Sequence, residues 1–129
     1  MLRRVVYTSR SIGGAGLSTV SLAHILGAGE RNNRRDQITS GLVVHGDRIL
    51  QALEGPANEV GRTLARVQAD PRHTDVEILV DTTTTRRVTG EAIALCDDPE
   101  AFLRAVSLPC LSLMTAEVAE AFVERRLAA

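Results

Sequence analysis

A chain of 129 residues lies within the range of one domain and is long enough to bury a core without a metal or disulfide. Hydrophobic residues at 44% beside 24% charged residues exclude a disordered, charge-heavy chain, and a net charge of −1 excludes a broad nucleic-acid footprint. Cys96 and Cys110, the only cysteines, are spaced for neither a redox pair nor a zinc half-site, and no apolar run approaches membrane-spanning length.

The basic pair Arg3-Arg4 is followed by no long apolar stretch, so a cytoplasmic location is expected. Leu2 to Thr8 form a β-branched and aromatic run that reads as a strand, and Ser11-Ile12-Gly13-Gly14-Ala15-Gly16 reads as a loop. A helix is expected from about Ser18, with Leu22, Ile25 and Leu26 on one face and Glu30-Arg31-Asn32-Asn33 at its polar end. Strands beginning near Ser40 and at Arg48 flank His45-Gly46-Asp47, where Gly at the first central position suits a type II′ hairpin. Gly55-Pro56 ends the third strand, and Asn58 is a candidate cap for a helix carrying Val60, Leu64 and Val67. Val76 to Val80 read as a strand, Thr82 to Thr85 as a turn-like run, and residues 86–95 as a weaker strand. Asp98-Pro99 and Thr115 are N-cap signals for two further helices, the second carrying Val118 and Phe122.

This order predicts an α+β fold with a ferredoxin-like βαββαββ core, two helices on one face of the sheet, and C-terminal helices packed on the other. The expected division is a core over residues 1–96 and a helical extension over 97–129. Fold alone leaves function open. The side chains narrow it: Tyr7 sits mid-strand, Gln51 near the end of the third strand, and Asn32-Asn33 at the end of the first helix. Three amides and a phenol supply donors and acceptors without charge, which suits a flat heterocycle with carbonyl and imine edges and does not suit hydrolysis. On spacing alone the same residues also fit a strand tyrosine and a few capping or turn amides. The glycine-rich loop lacks a P-loop lysine or a Rossmann spacing, and His24, His45 and His73 have no metal-ligand spacing. Arg31, Arg34 and Arg35 fit either a contact to a cofactor's phosphates or, better, a charged helix end.

The pieces Tyr7-Thr8-Ser9, Arg31-Asn32-Asn33 with Ile38-Thr39, Leu50-Gln51-Ala52-Leu53-Glu54-Gly55, Asp70-Pro71-Arg72-His73 with Val76 to Leu79, and Arg86-Arg87-Val88 occur in one order. In that order the chain closely resembles the BLUF family of blue-light sensors that use FAD, over residues 2 to 95. The resemblance implies a non-covalently held FAD between the two helices beside the sheet, and a sensor with no enzyme active site. It implies Tyr7 as electron and proton donor, Gln51 as the bridge from Tyr7 to the flavin N5 and C4 carbonyl edge, and Asn33 as the anchor of the C4 carbonyl and N3 edge. Asn32 would support the ring or ribityl chain, and Arg72 and His73 would approach the pyrimidine and ribityl side. Light would rearrange the Gln51 amide, with output through an unidentified downstream protein or self-association.

Glu91 and Ile93 stand where the family usually has Trp and Met, and Ser40 where it usually has Gly. The first two departures bear on signal relay and leave the pocket intact; Glu91 is expected to face water or to pair with an Arg, because an unpaired buried charge is costly. Two other readings compete. One is a BLUF-like interaction module that has lost flavin or light response, and the other a small ferredoxin-like hydrolase of the acylphosphatase type, for which the N-terminal loop offers only Arg10.

Overall fold

The computed structural model describes residues 1–11, 29–71 and 73–128. Strand β1 (Leu2–Ser11) is followed, as far as it is described, by helix α1 (residues 29–35). Strands β2 (Thr39–His45) and β3 (Arg48–Pro56) lead into helix α2 (Ala57–Ala69) and strand β4 (His73–Thr84). A two-residue strand β5 (Ala94–Leu95), helix α3 (Pro99–Ala105), a 3₁₀ turn (Leu111–Leu113) and helix α4 (Ala116–Ala128) complete the order. The expected helix start at Ser18, the glycine-rich loop, His24 and Arg72 lie outside the described residues.

The sheet runs β4-β1-β3-β2-β5, antiparallel through its first four strands and parallel at the β2-β5 edge. This is the ferredoxin-like arrangement expected from the element order. The β2-β3 turn behaves as its sequence implies. His45 pairs with Arg48, leaving Gly46 and Asp47 as a two-residue loop in which Gly46 alone takes a positive φ, 61°.

Alternation along the strands sorts side chains between two cores. Val5 and Tyr7 of β1, Leu53 of β3, Ile38, and Val60 and Leu64 of α2 form the first. Val6, Val43, Leu50 and Val80 form the second with Leu103, Val106, Leu111, Met114 and Ala119 of the C-terminal elements. Each fully buried aliphatic side chain contributes about 2 kcal/mol by leaving water. Phe102 and Phe122 join α3 to α4 edge-on, with ring centroids 5.2 Å apart. The C-terminal helices thus cover the sheet face opposite α2, as its apolar layer requires. Asp98 caps α3 by accepting from the Ala101 N–H with Pro99 at the first position, and the Thr115 hydroxyl accepts from the Val118 N–H at the start of α4.

Four local expectations are corrected. Asn58 does not cap α2: the N-cap is Pro56, without a side-chain bond, and Asn58 is exposed inside the first turn. The threonine run does not turn away from the sheet, because Thr82, Thr83 and Thr84 pair with Arg4, Arg3 and Leu2 and carry β4 to its end. Gln51 lies mid-strand, since β3 continues through Gly55 to Pro56 beside Leu2 and Arg3 of β1. Residues 86–93 are not a strand; only Ala94 and Leu95 pair with β2. The cause is a competing set of side-chain acceptors for their backbone groups, described below.

Register shifts in β4 also matter. Val6 faces Val80 while the next residue, Tyr7, faces Ile78, so Leu79 is an extra residue in the ladder. Consecutive residues Leu79 and Val80 therefore both pack on the second core.

Candidate functional site

Tyr7 and Gln51 are direct cross-strand partners in the β1-β3 register, which places both side chains on the face covered by α2. The Tyr7 hydroxyl donates to Gln51 Oε1. With Oε1 taken, the Nε2 end of the same amide remains the donor. Tyr7 is 3% exposed, and burial, followed by the Asp70 carboxylate, holds its phenol well above the usual tyrosine range. It is therefore a neutral phenol at physiological pH, with its proton in a hydrogen bond.

Asn33 reaches this face from α1. The helix ends in a Schellman motif: the Ile38 N–H donates to the Asn33 carbonyl at 2.8 Å and the Gln37 N–H to the Arg34 carbonyl at 3.4 Å, with Gln37 at φ 58°. Gly55 permits that corner to sit on β3, because a Cβ there would lie 3.1 Å from both the Gln37 oxygen and Ile38 Cγ1. The Asn33 side chain, 4% exposed, donates through Nδ2 to the Ala92 carbonyl at 2.8 Å and lies 3.5 Å from Ser40 Oγ. Ser40 pairs with Leu53 across β2-β3, on the same face as Gln51. Thus Tyr7, Gln51 and Asn33 share one face, while Asn32 is partly exposed on α1. His73 begins β4 opposite Ser11.

The chemistry this set supports is uncharged. A buried phenol and two amides can hold a polar heterocyclic edge, and neither a nucleophile-base pair nor paired carboxylates accompany them among the described residues. Arg34 and Arg35 pair with Glu30 and Asp36 at an exposed helix end. No group of three or more His, Cys, Asp or Glu side chains among the described residues could hold a metal ion. No helix among them is long and apolar enough to cross a membrane.

Sequence reasoning missed a heavily bonded side chain of the sheet. Glu54 is completely buried and accepts from Arg4, from the N–H groups of Val88 and Thr89, and from the Thr89 hydroxyl at 2.6 Å. Arg87 adds bonds to the carbonyls of Glu54 and Gln37 and to Thr39 Oγ1. These bonds take up the backbone donors of 88–89 and explain why the segment is no strand. A carboxylate placed three residues after Gln51 was the available signal, since it must project from the opposite face of β3 into a core. A cavity of about 350 Å³ lies on that opposite face, between the sheet and α4, with Leu50, Ala52, Glu54, Phe102 and Phe122 in its walls. Tyr7, Asn33 and Gln51 do not line it.

A family model described as sensors of blue light using FAD matches residues 2–91. The chain belongs to the BLUF family. Its BLUF domain is 37% identical over 60 residues to photoactivated adenylate cyclase subunit beta of Euglena gracilis, covering 46% of this chain and 7% of that protein. Among solved structures, BlrB, a BLUF protein in its dark state, aligns over 98% of this chain and 95% of its own with a TM-score of 0.80 and 26% identity. The photo-activated state of BlsA aligns over 100% and 96% with a TM-score of 0.83, and at 20% identity it speaks to the fold alone. The chain is thus a photosensor-family protein, and BLUF domains are flavin-binding sensor units.

Proposed function

We propose that this chain is a blue-light receptor that holds FAD non-covalently against the Tyr7-Gln51-Asn33 face and signals by rearranging hydrogen bonds, without catalysing a reaction of its own. The observation that carries the reading is the buried Tyr7 hydroxyl donating to Gln51 Oε1. This leaves Nε2 for an acceptor such as the flavin N5 or C4 carbonyl. The residues fit the group: a flavin edge presents several acceptors and one N–H, and this face presents uncharged amide donors and acceptors beside an apolar core.

When bound, the flavin supplies blue-light absorption and, in its excited state, an electron acceptor. The rest belongs to the chain. Tyr7 is the donor of electron and proton, and its burial keeps that proton in place until it is needed. Gln51, once its bond from Tyr7 is disturbed, can reverse or tautomerise its amide, which exchanges donor for acceptor at small cost. Asn33 anchors the N3 and C4 carbonyl edge; Asn32, Arg72 and His73 are proposed to support the ribityl and pyrimidine side. Glu91 is exposed, which keeps it apart from that set.

Residues 1–96 then act as the sensor core and 97–129 as the extension through which output passes. The packing of α3 and α4 on the face opposite Tyr7 supports that division. Output goes to a separate protein in the cytoplasm or to a second copy of the chain. The visible absorption spectrum of the purified protein, in darkness and just after blue illumination, tests the reading. A yellow preparation containing FAD, with a reversible red shift of its bands, is the expected result. Colourless protein that takes up no flavin on reconstitution overturns it.

A further inference from the structure

Two side chains from separate parts of the chain meet at one backbone carbonyl of a third. The Ala92 oxygen accepts from Asn33 Nδ2 at 2.8 Å and from Ser40 Oγ at 2.7 Å, and the Ser40 N–H holds the neighbouring Glu91 carbonyl at 2.9 Å. Ser40 is fully buried and Asn33 nearly so. The segment carrying that carbonyl is no strand, yet it has fixed neighbours: a Cβ at Gly29 would lie 2.9 Å from Ile93 Cδ1, and the Cys96 N–H donates to the Leu42 carbonyl at 2.8 Å.

The consequence concerns the two ends of the Asn33 amide. An amide is a donor at one end and an acceptor at the other, so a fixed carbonyl beside it selects one orientation. Reversal would set Oδ1 against the Ala92 oxygen, two acceptors without a proton between them, beside the buried Ser40. We propose that Ser40 is a positioning residue. By holding the Ala92 carbonyl, it commits one Nδ2–H of Asn33 to the protein and so fixes Oδ1 as the acceptor offered to bound flavin. An oxidised isoalloxazine ring carries a single N–H, at N3, and an acceptor fixed toward that edge is its complement. Ser40 makes no flavin contact in this arrangement; it acts through Ala92 and Asn33. The inference rests on the flavin site proposed above and adds to it which atom of Asn33 faces the ring, and why.

The test uses the full chain reconstituted with FAD labelled with ¹⁵N at N3, comparing wild type, Ser40→Ala and Asn33→Ala at a temperature where their far-ultraviolet circular dichroism agrees. Two quantities are read in darkness: the exchange rate of the N3 proton by NMR and the FAD dissociation constant. Ser40→Ala should accelerate N3–H exchange and weaken FAD binding by about fivefold, the equivalent of one partly lost hydrogen bond. Asn33→Ala should do both to a greater extent. If Asn33→Ala weakens both but Ser40→Ala matches wild type in both, the positioning role is wrong and the flavin site stands. If Asn33→Ala also matches wild type, the flavin site itself is misassigned and the inference falls with it.

Discussion

Gln51 and Glu54 stand three residues apart on β3 and face opposite sides of the sheet, and their environments are opposite in kind. Glu54 is charged, completely buried and saturated, with Arg4, two backbone N–H groups and a hydroxyl on its two oxygens. Gln51 is neutral, partly buried, and bonded through its Oε1 to the Tyr7 hydroxyl. A saturated buried carboxylate has one arrangement, because any movement leaves a charge or several N–H groups unpaired. A neutral amide can reverse, exchanging a donor for an acceptor, without stranding a charge. The comparison teaches how one strand can carry a fixed scaffold on one face and, in the function proposed above, a reversible amide on the other.

The largest expected effect breaks the scaffold side. Glu54→Ala leaves Arg4 buried without its counter-charge and frees the Val88 and Thr89 N–H groups, and should destabilise the protein by about 3–5 kcal/mol. Urea denaturation of both proteins measures it; a loss below about 1 kcal/mol would show that the network is ornamental to stability.

Breaking the other side should cost far less stability and all of the response. Gln51→Leu fills similar space and removes one hydrogen bond, about 1 kcal/mol, so the flavin should remain bound. The light-induced spectral shift should vanish, because an apolar side chain cannot rewrite a hydrogen bond. A normal photocycle in this variant would remove Gln51 from the mechanism.

The partner of Gln51 can be sharpened by titration. The chain has a single tyrosine, so phenolate absorbance near 295 nm reports Tyr7 alone. Burial disfavours the phenolate, so its folded pKa lies above the unfolded value of about 10. Between those two values the unfolded chain binds fewer protons than the folded one. The stabilising contribution is therefore complete below about pH 10 and is lost as pH rises toward the folded pKa. Native protein should show no phenolate at pH 10, and denatured protein should show about half. Equal titration in both states would contradict the burial of Tyr7.

The smallest effect is expected at Glu91. It is exposed and belongs to neither the Gln51 nor the Glu54 set, so Glu91→Ala and Glu91→Gln should change stability by less than about 0.5 kcal/mol and leave the dark-to-light spectral difference intact. Collapse of the photoproduct in both variants would place Glu91 in the photochemical centre.

Several of these features were legible before any coordinates. The type II′ turn at Gly46-Asp47, the Asp98-Pro99 and Thr115 caps, the ferredoxin-like element order and the family resemblance depend on residues within a few positions of each other, or on an ordered set of short motifs. Local backbone geometry is decided by such neighbours, so a chain alone determines it. The tertiary structure decided where long-range partners override that local reading. The threonine run became strand because Leu2 to Arg4 of β1 lie beside it. Residues 86–93 lost their strand because Glu54 and Arg4, fifty positions apart in the chain, meet in the core and hold the adjoining backbone. Likewise, nothing in the spacing of Asn33, Ser40 and Ala92 indicates that they share one hydrogen-bond acceptor. Hydrophobic periodicity records which face of an element is buried, but not which polar group from a distant element arrives there, and in a dry core it is that arrival that fixes charge, amide orientation and backbone path.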